Sequence, residues 1–149
     1  MDIANWLERN VGVRVIQTHN AIYKGTKGWI GHHFPGFPPS LLLHTIGAKT
    51  GAARTTSLSY ARDGDNYLIV ASKGGDPHAP GWYHNLRAHP DIEISVGPKR
   101  FAVTAHPVLA DDPDYPQLWR IVNENNGNRY DGYQRLTSRP IPVVVLTPR

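Results

Sequence analysis

After residue 40 the chain alternates hydrophobic and polar positions, and turn formers cut the alternation into short runs. Leu41 to Ile46 is apolar, Thr55 to Tyr60 is β-branched and aromatic, and Tyr67 to Ala71 is apolar again. Each run predicts a strand, and Asp63-Gly64 signals a hairpin before the third. Ile92, Ile94 and Val96 share one face of Asp91 to Val96, and Phe101, Val103 and Ala105 share one face of Arg100 to Ala105. Gly97-Pro98 turns between these two strands, and Pro142 to Thr147 forms the last, where Pro142 limits backbone pairing at its start. Helices are predicted over Gly81 to Arg87, stopped by His89-Pro90, and over Tyr115 to Val122. Asp111, Asp112 and Asp114 suit the positive end of that second helix. A polar loop, Asn123 to Asn128, and a short helix from about Asp131 to Leu136 precede the last strand.

Residues 1–40 differ in pattern from the rest. Ile3, Trp6, Leu7, Asn10 and Val13 stand at helical spacing, and a second helical stretch runs from about Arg14 to Tyr23. Gly25, Gly28 and Gly31, followed by Pro35, Pro38 and Pro39, then break any helix. We therefore expect a packed and wrapping segment over 1–40 and the main domain over 41–149. Beside that structural reading stand two functional ones: a mobile lid, or a weak membrane-surface contact through Trp6, Trp29, Phe34 and Phe37 with Lys24 and Lys27. The predicted order, six strands in hairpins with a crossing last strand, fits an α+β, mainly β fold built on a small or half-open antiparallel barrel.

Composition narrows the class. A chain of 149 residues suits one domain with its own core. Its 14 glycines and 13 prolines favour a β-rich, turn-rich fold over a helical bundle. The absence of cysteine excludes a disulfide framework and any thiolate metal site, and is compatible with the cytoplasm. The start, MDIANWLERN, lacks the apolar core of a secretory signal. A net charge of +4 points to an anionic partner, but the basic residues are too scattered for a nucleic-acid stripe.

The richest stretch for chemistry is Gly47-Ala48-Lys49-Thr50-Gly51 with Arg54. Flexible glycines flank a lysine and a hydroxyl, so the turn can cradle a phosphate while Lys49 and Arg54 neutralise it. It is not a Walker A loop, because a strand and not a helix follows. An ordinary hairpin turn with solvated charges is the competing reading. Val70-Ala71-Ser72-Lys73-Gly74-Gly75 ends a strand in small residues against which a flat ring can lie. His19, His32, His33, His44, His78, His84, His89 and His106 show no metal-ligand spacing, so no metal is expected. No nucleophile elbow and no pocket-bound carboxylate pair stands out, which suits a protein whose cofactor carries the chemistry.

The Lys49 loop with Arg54, the Ala71 to Gly75 run, Trp82-Tyr83-His84-Asn85-Leu86 closing in His89-Pro90, and Tyr130 and Tyr133 ahead of Pro140-Ile141-Pro142-Val143-Val144-Val145 occur in that order. Together they resemble the deazaflavin-dependent nitroreductase family over about residues 38 to 147. The resemblance implies a six-stranded antiparallel split β-barrel with flanking helices. It implies coenzyme F420, an 8-hydroxy-5-deazaflavin, as hydride donor to a small hydrophobic acceptor: a quinone, an enone or a nitro compound. A non-catalytic F420 carrier and an FMN-binding split barrel are the alternatives. By position, Lys49, Thr50, Gly51 and Arg54, with Ala48 beside them, match the family's grip on the phosphate and acidic tail. Leu58, Ser59, Val70, Ala71, Ser72, Lys73, Gly81 and Trp82 match the wall around the ring. Tyr130 and Tyr133 match the acceptor side, and with Ser72 they are the implied catalytic positions. Ala48 stands where relatives often carry arginine, a loss on the order of 1 kcal/mol in the phosphate grip. A third tyrosine of some family nitroreductases falls near Gly127 and is missing, so quinone or enone reduction is expected ahead of bulky nitro compounds. The implied setting is cytoplasmic, with the plasma-membrane surface as a second reading, and the oligomeric state stays open.

Overall fold

The structure, a computed structural model, describes residues 38–149. The helical and membrane-contact readings of the N-terminal segment lie outside the described residues. Within them one antiparallel sheet of seven strands holds the order β2-β1-β5-β6-β7-β4-β3. The strands are β1 (Ser40–Ile46), β2 (Ala53–Ser59), β3 (Ala61–Asp63), β4 (Asn66–Val70), β5 (Asp91–Val96), β6 (Lys99–Val108) and β7 (Val143–Pro148). Helix α1 (Gly81–Ala88) joins β4 to β5, while α2 (Tyr115–Asn125) and α3 (Arg129–Gln134) lie between β6 and β7.

The sheet order dictates the shape. β2 and β3 are the two edge strands, yet only Tyr60 separates them in sequence. One linking residue spans about 7 Å, so the sheet must roll until its edges meet at Tyr60. Tyr60 fixes that corner: its N–H donates to the Pro39 carbonyl at 3.0 Å, and its own carbonyl accepts from Asn125 Nδ2 at 2.9 Å. The result is the half-open barrel expected from the hairpin pattern, with seven strands where six are predicted.

The additional strand is β3. Ala61-Arg62-Asp63 has little strand propensity, but it pairs with Leu68, Tyr67 and Asn66 of β4, and the Arg62 guanidinium lies 4.1 Å from the centroid of the facing Tyr67 ring. Strand β6 also runs beyond Ala105 through Pro107. Ala105 donates its N–H to Pro90, so by the two-residue period Pro107 faces the same side, which β5 no longer reaches. Helix α2 likewise takes in Asn123, Glu124 and Asn125, which the sequence reading assigns to a loop.

Alternation divides the apolar residues between two cores. Leu41, Leu43, Tyr67, Ile69, Ile92, Ile94, Val103 and Leu146 fill the barrel interior, where Trp82, Tyr83 and Leu86 of α1 cap them. Leu68, Val70 and Val143 point the other way and pack with Leu118 and Val122 of α2 and Tyr133 of α3. Strand β4 is thus covered on both sides, which is why its run is continuously apolar.

Candidate active site

The β1–β2 loop carries the exposed Ala48, Lys49, Thr50 and Gly51. Its amides are largely used within the fold. Gly47 donates to Ala52 at 2.7 Å, Gly51 to Gly47 at 2.9 Å, and Ala52 to Thr50 Oγ1 at 3.2 Å. Ala48 donates to Asn85 Oδ1 of α1 at 3.0 Å, and Asn85 Nδ2 donates to Thr45 Oγ1 at 3.4 Å. Of the amides from Gly47 to Ala52 only those of Lys49 and Thr50 stay uncommitted among the described residues, so an anion at this loop would meet side-chain cations and not a ring of amides. Arg54 pairs in register with Thr45, and Leu58 with Leu41. Both therefore project on the interior side of β2, the side α1 covers.

A second segment, Ala71 to Asp76, leaves β4 through a 3-10 turn at Lys73–Gly75. Lys73 has φ 43°, a left-handed conformation unusual for a side-chain-bearing residue, and Gly74 and Gly75 have φ 61° and 83°. Arg139 anchors the segment. Its Nε donates to the Asp76 carbonyl at 2.8 Å, and one Nη donates to the carbonyls of Ala71 at 3.1 Å and Ser72 at 2.9 Å. Burial lowers the Arg139 pKa against the opposing pull of Asp76 and Tyr83, while burial raises the Tyr83 phenol despite Arg87 and Arg139. Helix α3 packs directly on the turn: a Cβ on Gly75 would lie 2.6 Å from the Tyr133 carbonyl oxygen.

Above that turn runs an aromatic series. Tyr115 stacks on Trp119 at 5.5 Å, Trp119 meets Tyr130 at 6.4 Å, and Tyr130 meets Tyr133 edge-on at 6.3 Å. Trp119 Nε1 donates to Asp131 Oδ1 at 2.7 Å, and the Tyr115 hydroxyl donates to the Ile141 carbonyl at 2.7 Å. Burial, helped by Asp131, pushes the Tyr115 phenol up to about 12. Two open cavities of about 410 and 400 Å³ lie elsewhere, one beside Tyr60 and Asn125 and one beside His106 and Asp112. Among the described residues no group of three or more His, Asp and Glu could hold a metal ion.

Residues 14–148 match the family described as F420H(2)-dependent quinone reductase. The chain belongs to that family. A Mycobacterium tuberculosis (strain H37Rv) F420H2-dependent quinone reductase is 72% identical over 149 residues, all of both chains. A solved F420-H2 dependent reductase is 35% identical, with a TM-score of 0.65 over 72% of this chain and 93% of that one. Another solved structure, described as a domain-swapped dimer, is 33% identical, with a TM-score of 0.67 over 90% of this chain and 96% of that one. Membership makes the chain an oxidoreductase that uses F420H2 as hydride donor and a quinone as acceptor, the reading preferred above over the carrier and the FMN protein. The match begins at residue 14, so the family pattern reaches further towards the N-terminus than the resemblance seen over about residues 38 to 147.

The residues present suit this coenzyme. Lys49, Arg54 and Lys73 are exposed and have no ion-pair partner among the described residues, which fits a phosphate and a carboxylate tail. Of the ring-wall positions, Leu58, Ala71 and Trp82 belong to the interior core or pack on it, Ser72 is buried, and Gly81 is exposed at the start of α1. Ser59 and Val70 do not share that surface: Ser59 points to the opposite side of β2 from Leu58, and Val70 lies in the helix-side core. Tyr133 is buried in that second core and Tyr130 is half buried against it. Sequence reasoning missed Asn85 and Arg139 as site-building residues. Asn85 sat within a family motif, whereas Arg139 gave no signal beyond preceding Pro140.

Proposed function

We propose that the chain reduces a small hydrophobic quinone in the cytoplasm, with Lys49 and Arg54 holding the coenzyme's phosphate and acidic tail. Ala71, Ser72, Lys73 and Trp82 bound its ring, and Tyr130 and Tyr133 stand on the acceptor side. The observation that supports this reading is the set of three exposed, unpaired cations on the β1–β2 hairpin and the Ala71 to Asp76 turn. When bound, the reduced coenzyme supplies the hydride. The chain's own residues bind and orient.

Lys49 and Arg54 offset the negative charge of an anionic ligand, each contact contributing about 1.5 to 3 kcal/mol. Asn85 holds the loop that carries Lys49 against α1, so the cation is presented from a fixed backbone. Trp82 and Ala71, both in the interior core, supply an apolar wall that keeps water from the ring. A phenol at Tyr130 or Tyr133 donates a hydrogen bond to a quinone oxygen as that oxygen gains negative charge. One proton accompanies each hydride to complete the hydroquinone. The test is titration of the protein with F420 and with FMN. Lys49→Ala with Arg54→Ala is expected to weaken F420 binding by about 2 to 4 kcal/mol, the contacts not being additive. Unchanged affinity in the double variant removes the tail assignment, and tighter binding of FMN than F420 removes the coenzyme assignment.

A further inference from the structure

Arg139 stands on the connection from α3 to β7, 67 residues from Ser72 in sequence, and its guanidinium accepts no role in the family reading above. It closes a ring of contacts. From α3, Gln134 Nε2 donates to the Arg139 carbonyl at 2.9 Å and to the Thr137 carbonyl at 3.3 Å, while Gln134 Oε1 accepts from the Ile141 N–H at 3.0 Å. The stretch so held aims the Arg139 fork at the carbonyls of Ala71, Ser72 and Asp76. The turn those carbonyls bound passes beneath α3, with no room at Gly75 for a side chain against the Tyr133 carbonyl and Leu136. The ring therefore runs from α3 through Arg139 to the turn and back to α3.

We propose that Arg139 is a positioning residue that couples the Ser72 to Gly75 turn to α3, so that coenzyme affinity and quinone affinity both depend on it. The proposal rests on the reading that places the ring at this turn and the acceptor beside Tyr130 and Tyr133. Three carbonyls diverging around one side chain suit the planar, multi-donor guanidinium, and a lysine cannot meet them all in that geometry. The left-handed Lys73 is sustained only while its surroundings over-determine it, and Arg139 fixes the backbone on both sides of it. Arg139 is only partly buried, so water replaces it at the carbonyls and the fold survives its loss.

The experiment compares the full chain with Arg139→Gln and Arg139→Lys by thermal melting, F420 titration and steady-state reduction of menadione. In Arg139→Gln a cooperative melt is expected to persist, while the F420 Kd and the menadione KM each rise about tenfold and kcat changes by less than about threefold. Arg139→Lys should recover part of both losses. A lower Tm with Kd and KM both at parent values overturns the proposal, as does movement of only one of the two, which removes the coupling. Lys73→Ala and Tyr130→Ala serve as direct-site variants. If they lose affinity while Arg139→Gln does not, the coupling fails alone; if they too are unchanged, the site reading falls with it.

Discussion

Gly75 and Gly51 both occupy the left-handed region, with φ 83° and 70°, yet they should respond differently to alanine. At Gly51 nothing lies within 4 Å of an added Cβ, so the cost is the backbone strain alone, about 1 kcal/mol. At Gly75 the Cβ meets a carbonyl oxygen at 2.6 Å and Leu136 Cβ at 2.9 Å, so Gly75→Ala should cost about 3 kcal/mol or more in a denaturant melt. The tyrosines divide in the same way. Tyr133 fills the helix-side core, so Tyr133→Ala removes packing worth about 3 to 5 kcal/mol and says little about catalysis. Phenylalanine at Tyr130 or Tyr133 removes only the hydroxyl. If the phenol donates to the quinone, turnover falls while coenzyme affinity holds; parent rates in both variants would make the pair structural. Tyr115 gives a pH prediction. Its phenol titrates near 10.0 unfolded and near 12 folded, so the stability it contributes is complete below pH 10 and is lost as pH rises towards 12. Tyr115→Phe should lower stability at pH 7, where the bond to Ile141 is lost, and flatten the decline between pH 10 and 12. An unaltered decline would count against this assignment.

At the scale of elements, the β1–β2 hairpin and α1 act as one unit because Asn85 joins Ala48 and Thr45, residues 37 and 40 positions away. Asn85→Ala is expected to weaken F420 binding several-fold through loss of loop order, with Tm shifted by only a few degrees. The proposed grip by exposed cations predicts that affinity falls as salt rises from low to physiological ionic strength. A salt-independent Kd would mean that Lys49 and Arg54 do not face the ligand. The strands and the turn of this unit lie where the sequence reading puts them, because both have local causes. The sequence reading did not separate the faces of these strands. Leu58 and Ser59, or Val70 and Ala71, are adjacent in sequence, and a strand's two-residue period sends adjacent side chains to opposite sides.

For the whole molecule, the barrel turns on Tyr60, where the two sheet edges meet, and the glycine and proline breaks over residues 25–39 set the N-terminal segment apart from it in sequence pattern. Deletion of residues 1–30 is expected to leave a folded protein that binds F420, and loss of the cooperative melt on truncation would make that segment part of the core. What the sequence determined by itself was everything with a local cause. Alternation, glycine turns and proline breaks placed most of the described strands and helices within a few residues, and composition singled out the Lys49 loop as the candidate anion site. β3 escaped because Ala61-Arg62-Asp63 becomes a strand only through its pairing with β4. Only the tertiary structure decided which side chains share a surface: that β2 and β3 close a barrel, that α2 and α3 cover the outside of β4, and that Arg139 grips carbonyls 63 to 68 positions away. Such contacts depend on chain segments meeting in space, and neither a residue's own propensity nor its neighbours' periodicity encodes the meeting.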